Sequence, residues 1–228
     1  MKRAFLAALQ LADSSLPVGR FVHSFGLEAL LEFDPDLRDS EIVEIVESAV
    51  SAALAPLDGI VLAHAYDAAE AGDIERLVAL DALLELYKLS LPSREASVGC
   101  GRRLVTLAPT LVSDETAAEL CRRVRNRESA GHLAVVEGAV AAALGIGREE
   151  AILIELRSAA AALVSAAVRL GRLTAFRAQK ALRELEPTLL ASAARAAEAG
   201  IDDVHSWLPE LETHALRHGR ADARVFAT

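Results

Sequence analysis

Apolar residues return every three or four positions along almost the whole chain, the spacing of a helix with one buried face. The pattern predicts a first helix over 3–12, then a loop over 13–19 with the turn chemistry of Asp13-Ser14-Ser15 and Pro17-Val18-Gly19. Ser24 is placed to cap a second helix in which Leu27, Leu30 and Leu31 share a face, and Asp34-Pro35-Asp36 ends it. Ser40 is placed to cap a third, with Ile42, Val43, Val46, Ala49 and Val50 inward. Pro56 should start or kink the next, which runs to Gly72. Asp73 caps a helix through about Leu89, with Ile74, Leu77, Leu80, Leu84 and Tyr87 inward. Leu91-Pro92 should break the chain, and Ser93 should cap a helix to about Leu107, followed by a loop over 109–113.

Further helices are expected over 114–127, 133–144, 148–170, after Thr174 as its cap, from Pro187 toward Ala199, and near 209–218. The stretch 133–144 is almost uncharged, so it should be buried on all sides. No segment alternates like a half-buried strand. The expected architecture is all-α: a single domain of about ten packed helices over 1–228, with short loops and no internal repeat.

Composition agrees. Alanine (46) and leucine (36) fill over a third of the 228 residues, while aromatics are only 4%. Ala and Leu are strong helix formers, and the residues that sheets favour are scarce. Gly138 lies within the alanine-rich run, where a glycine costs roughly 1 kcal/mol against alanine. Close approach by another helix, of this chain or of a partner, would compensate. Gly99-Cys100-Gly101 is read the same way, as a helix contact rather than a ligand cradle.

Charge is unevenly spread. The net charge is −9, yet residues 28–85 hold 15 acids and two bases, a balance of −13, and the remainder is +4. These acids suit solvated helix faces or a basic partner surface, and they argue against a protein built to grip nucleic acid. Cys100 and Cys121 form neither a disulfide framework nor a CxxC pair, which suits a reducing, cytoplasmic setting. The first residues mimic a signal peptide only briefly, and the most apolar stretch, 152–170, is broken by Glu155, Arg157 and Arg169, so neither a leader nor a membrane span is expected.

Catalytic chemistry finds little footing. There is no phosphate loop and no dinucleotide fingerprint, so no cofactor is expected. Asp13, Ser15 and His23 contain the residue types of a hydrolytic triad, but nothing in their spacing requires that geometry. His214 and His218 are four apart on one helix face and are the candidates for a metal, with His205 nearby; two histidines alone make an incomplete set. A helical metal-binding protein or enzyme using them is the alternative functional reading.

Four blocks in order resemble the urease accessory protein UreF family. The first is Leu9-Gln10-Leu11-Ala12-Asp13-Ser14-Ser15-Leu16-Pro17-Val18-Gly19, continuing through His23-Ser24-Phe25-Gly26-Leu27-Glu28. The second is Arg94-Glu95-Ala96 with Gly101-Arg102-Arg103-Leu104, and the third runs from His132 through Glu137-Gly138 to Ile146. The fourth is Leu216-Arg217-His218 with Arg224-Val225-Phe226. Departures stand at Arg20, where the family commonly has a small residue, at Arg172, Thr174 and Ala175, and at Val225 and the last two residues.

The resemblance implies an all-α, non-enzymatic scaffold, often a homodimer. It would act with UreD (also called UreH) and the GTPase UreG to load nickel and carbon dioxide into apo-urease. It also implies that Asp13, Ser14, Pro17, Gly19, His23, Ser24, Gly26 and Glu28 shape one partner surface. Arg94, Glu95, Arg102 and His132 would form or orient another, and Gly138 counts among the partner-binding residues. His218, Arg224 and Phe226 would anchor on UreD a tail (about 219–228) that becomes ordered there.

Overall fold

The computed structural model describes residues 2–218 and Phe226, with the side chains at 210, 212, 215, 217 and 218 left out. Among the described residues every regular element is helical. In chain order these are α1 (Lys2–Leu11), a 3-10 turn (Arg20–Val22), α2 (Leu27–Phe33), α3 (Asp39–Ala49), a π-helical stretch (Val50–Gly59), and α4 (Ile60–Glu70). Then come α5 (Ile74–Tyr87), α6 (Leu91–Leu111), α7 (Glu115–Arg125), α8 (Leu133–Ala143) and α9 (Arg148–Arg169). The chain continues through α10 (Ala175–Glu184), α11 (Glu186–Glu198), a second 3-10 turn (Ile201–Asp203) and α12 (Pro209–His218). They pack around one core as a single domain.

Helix α8 is the centre, as its lack of charge implied: every residue from Leu133 to Ala141 is buried. It lies against α4, α6 and α9. The α4 contact is close enough to need a glycine. A Cβ on Gly138 would stand 2.8 Å from the Leu62 carbonyl oxygen and 3.1 Å from the Tyr66 nitrogen. The approaching helix therefore belongs to the same chain. Gly101 serves the corresponding contact on α6, where a Cβ would meet the Gly131 carbonyl oxygen at 2.0 Å, whereas Gly99 faces open space.

Asp73 and Thr174 cap their helices as expected, and Asp114 caps α7, each accepting a hydrogen bond from the backbone N–H three residues on. Three serine assignments are corrected. Ser24 is not the cap of α2: the chain turns through Gly26 at φ 88°, and the helix begins after it. Ser40 lies inside α3, because Glu41 reaches back to accept the Arg38 N–H at 2.8 Å and starts the helix earlier. Ser93 is also inside its helix: Ser90 is the cap of α6, and Pro92 sits in the first turn, where its missing N–H does no harm. That helix runs on to Leu111 with Pro109 in its last turns, so no loop opens at Pro109.

Pro56 neither starts a helix nor ends one. The helix is continuous over Asp39–Glu70, and its middle widens to π geometry, with the Ile60 N–H reaching back five residues to the Ala55 oxygen. In an α-helix the Ala52 carbonyl would accept from residue 56, which as proline has no N–H; the Trp207 N–H donates there instead at 2.9 Å. His205 N–H donates to the Pro56 oxygen at 3.2 Å, so the 205–207 segment ties the π stretch down. The span Asp39–Glu70 and helix α9 are long and apolar enough to cross a membrane by composition, but 61% and 72% of their most apolar windows are buried inside this domain.

Candidate functional site

The first block forms a loop on the outer side of α9. Asp13 accepts both the N–H and the hydroxyl of Ser15 at 2.8 Å, a local turn that lowers its pKa below the usual carboxylate range. Ser14 and Pro17 are exposed beside it. Gly19 has φ 80° and lies where the Arg103 side chain of α6 passes: a Cβ would meet Arg103 Nη1 at 2.0 Å. Arg103 donates in turn to the Val18 oxygen at 3.4 Å. The loop residues, with Arg157, Ser158 and Ser165 of α9 and Gln179 of α10, wall a cleft of about 600 Å³.

Behind the loop the chain buries charge. Arg20 Nη2 bonds Glu137 Oε2 of α8 at 2.9 Å and Glu155 Oε2 of α9 at 2.6 Å, and the three side chains are only 8%, 4% and 6% exposed. A second buried pair stands beside it: Lys88 Nζ to Asp58 Oδ2 at 2.8 Å, joining the end of α5 to the π stretch. A small cavity of about 30 Å³ lies between the two pairs, with Cys100 on its wall. Burial pushes the Cys100 thiol up to about 11, so it is not a reactive thiolate. His23 is buried too; burial, with the Arg103 guanidinium nearby, holds it down at about 4 and hence neutral.

The two ends of the chain meet on this block. Glu28 is buried on α2 and accepts the Phe226 N–H at 3.1 Å. Arg169 lies over the Phe226 ring at 4.1 Å from its centroid and also donates to the Phe21 carbonyl oxygen. Phe226, read from sequence as a tail anchor, is thus buried in this chain against α2 and α9. Arg224 and the rest of the tail lie outside the described residues. So does the side chain of His218. Ser24 is fully buried.

The second and third blocks converge on the loop between α7 and α8. Asp81 is 1% exposed and accepts three hydrogen bonds there, from Ser129 Oγ at 2.5 Å, Gly131 N–H at 2.9 Å and His132 N–H at 2.7 Å. His132 is wholly buried and spans Glu85 Oε2 (2.9 Å) and Ser97 Oγ (3.1 Å); burial lowers its pKa. Arg102 holds the Ala130 oxygen at 3.0 Å, and Arg94 reaches the Glu85 carbonyl oxygen at 3.5 Å. Glu95 is exposed. Arg94, Arg102 and His132 are therefore brought together, while Gly138 lies deeper, in the α4–α8 contact.

Arg172, a departure from the family pattern, closes the end of α2 by donating to the Leu31, Pro35 and Leu37 carbonyl oxygens. Thr174 caps α10, and Ala175 opens it. His214 is buried with its ring 5.3 Å from that of Phe33, and His205 Nδ1 faces the Asp203 carbonyl at 2.7 Å. Among the described residues, three or more metal-ligating side chains do not come together anywhere.

Sequence reasoning missed Asp81, Asp58, Lys88 and the pairing of Glu137 with Glu155. Two of them had a signal. Asp81 stands four residues after Leu77 and three before Leu84, both inward. Glu137 is the only charge in an otherwise apolar helix that is buried from Leu133 to Ala141.

Comparison with known proteins follows the same blocks. The UreF family model matches residues 39–186. The urease accessory protein UreF 2 of Brucella canis is 30% identical over 221 residues, covering 97% of this chain and 90% of that protein. UreF of Paenarthrobacter aurescens is also 30% identical, over 97% of this chain and 96% of its own length. UreF of Bacillus sp. (strain TB-90) is 28% identical over 97% of each. With buried charge behind one signature loop, a carboxylate clamp behind the other, and this match along nearly its full length, the chain belongs to the UreF family of urease accessory proteins.

Proposed function

We propose that this protein is a non-catalytic scaffold of urease maturation. It binds UreD (UreH) and the GTPase UreG and promotes GTP-dependent nickel insertion into apo-urease, acting in the cytoplasm as a homodimer. The observation that carries the reading is the extent of the family match, 97% of this chain aligned to relatives named urease accessory protein UreF. The mechanism is differential binding. A scaffold changes its partner's nucleotide cycle only by holding one conformation more tightly than another, which favours rigid, preformed surfaces.

Two such surfaces suggest themselves. The loop carrying Asp13, Ser14 and Pro17 is backed by Gly19, His23, Ser24, Gly26 and Glu28. The second is the α6 face with Arg94, Glu95 and Arg102, backed by His132. The α12 end with His218, together with Arg224, is assigned to UreD, with Phe226 seated on α2 and α9 of this chain rather than on the partner. Nickel is cargo here, and no residue of this chain is assigned to it.

Co-purification tests the partner assignment. The full chain, co-expressed with UreD and UreG, should be recovered in one complex. A chain truncated from Arg217 should lose UreD while keeping its helical circular dichroism. Full retention of UreD by the truncated chain would remove the tail from the interface, and no complex with the full chain would overturn the reading.

A further inference from the structure

The group formed by Arg20, Glu137 and Glu155 does not balance in its ordinary ionisation states. Two carboxylates bond the same guanidinium nitrogen, at 2.9 and 2.6 Å. Their oxygens are therefore no farther apart than the sum of those distances. With both ionised, the group would carry one excess negative charge, nine-tenths or more buried. The neighbouring charges do not cancel it. Lys88 is matched by Asp58 at 2.8 Å, Cys100 of α6 is a thiol, and Arg103 of α6 lies on the loop side, against Val18. An uncompensated buried charge is resolved by protonation rather than tolerated.

We infer that Glu137 and Glu155 hold one proton between them at neutral pH, carried by Glu137, and that the resulting neutral clasp with Arg20 positions the 13–28 loop on the α8–α9 pair. Glu155 makes the shorter bond to Arg20 and feels Lys88, so it is the ionised partner. Burial, with the Glu155 carboxylate beside it, raises the pKa of Glu137, whereas the Arg20 guanidinium holds that of Glu155 down against its burial; in the clasp the Glu137 O–H donates to Glu155. Arg20 is the first residue of the 3-10 turn in the middle of the loop, so its bond to Glu155 fixes where the loop leaves the body. Arg20, Glu137 and Glu155 are positioning residues. The proposal deepens the scaffold reading, and rests on it only for the loop's use by a partner.

The proton makes the two glutamates unequal, which a merely structural ion cluster would not. Glu137→Gln keeps a donor toward Glu155 and needs no proton. Glu155→Gln removes the anion that Arg20 requires. The purified full-length chain and both variants are compared by infrared spectroscopy and by melting at several pH values. The wild type should show the carbonyl band of a protonated carboxyl at pH 7, and E137Q should lack it. E137Q should melt at or above the wild type at pH 7, while E155Q should fall by roughly 5 °C or more.

The sign follows from linkage. A carboxyl whose pKa is raised on folding favours the fold most below its unfolded pKa and loses that advantage as pH rises. Between the unfolded and folded values of Glu137, the wild-type folding constant should drop up to about tenfold per pH unit relative to E137Q. Equal losses in E137Q and E155Q, a missing carboxyl band in the wild type, or parallel pH curves for wild type and E137Q would each overturn the clasp. If E155Q does not fold, the band and the E137Q pH curve still decide. None of these readings involves urease, so their failure is distinct from failure of the scaffold role.

Discussion

Two loops in this molecule are held by buried carboxylates, and they are held in different ways. The 13–28 loop hangs on an ion group, Arg20 with Glu137 and Glu155, whose members come from three separate elements. The loop before α8 hangs on Asp81, which is satisfied by one hydroxyl and two backbone N–H groups. The first arrangement matches charge with charge and is left with an excess anion to neutralise. The second disperses its charge over neutral donors that would otherwise be orphaned. A guanidinium can be met from several directions, so the first suits a loop joining distant elements. A short aspartate suits a tight turn in which successive N–H groups converge. The clamp on the second loop therefore rests on one side chain gathering neighbouring donors, and that on the first draws charge from three separate elements.

The comparison predicts where each loop breaks. The largest loss should come from Asp81→Ala, which strands three buried donors at once. We expect about 3–5 kcal/mol from urea unfolding, concentrated at the α7–α8 loop in hydrogen exchange. A loss below about 1 kcal/mol would mean that water replaces the carboxylate. Next is Gly138→Val, which forces α8 off α4. About 1–3 kcal/mol should be lost, with unchanged sedimentation, since the contact is within the chain. A changed oligomeric state with unchanged stability would place that glycine at a partner instead.

Smaller effects separate the two loops further. His23, behind the first loop, is held near 4 when folded, against 6.5 unfolded. A depressed folded pKa means that its contribution is present above about 6.5 and is lost as pH falls toward about 4. His23→Gln should flatten melting temperature against pH in that window, and an unaltered slope would show that His23 does not titrate as described. The Gly99-Cys100-Gly101 pair gives the finest contrast. Gly101→Ala should destabilise through its clash with the Gly131 carbonyl. Gly99→Ala should stabilise by about 0.5–1 kcal/mol, because it gains helix propensity in open space.

Much of the fold was legible because it depends on local chemistry. The 3.6-residue period placed the helices. Asp73 and Thr174 were legible as caps, and the near absence of charge in α8 marked the centre. The failures were places where a tertiary partner or a nearby competitor changed the outcome. Pro56 is tolerated because Trp207, about 150 residues away, supplies the missing donor. Ser40 lost its role to Glu41, and Ser24 to Gly26. At the site, the blocks were legible as sequence, but their supports were not. Arg20 and Glu155 are separated by 135 positions, and nothing in the pattern of either neighbourhood names the other. Asp81 and Glu137 could have been suspected, as charges on faces that the period assigns to the core.

The central claim is that these two preformed surfaces serve urease maturation. Nickel bound per urease active site tests it most directly. Urease is purified from cells co-expressing apo-urease, UreD and UreG, with and without this chain, at fixed medium nickel. The account predicts near-complete loading with the chain and a severalfold deficit without it. Equal nickel content in both preparations would contradict it.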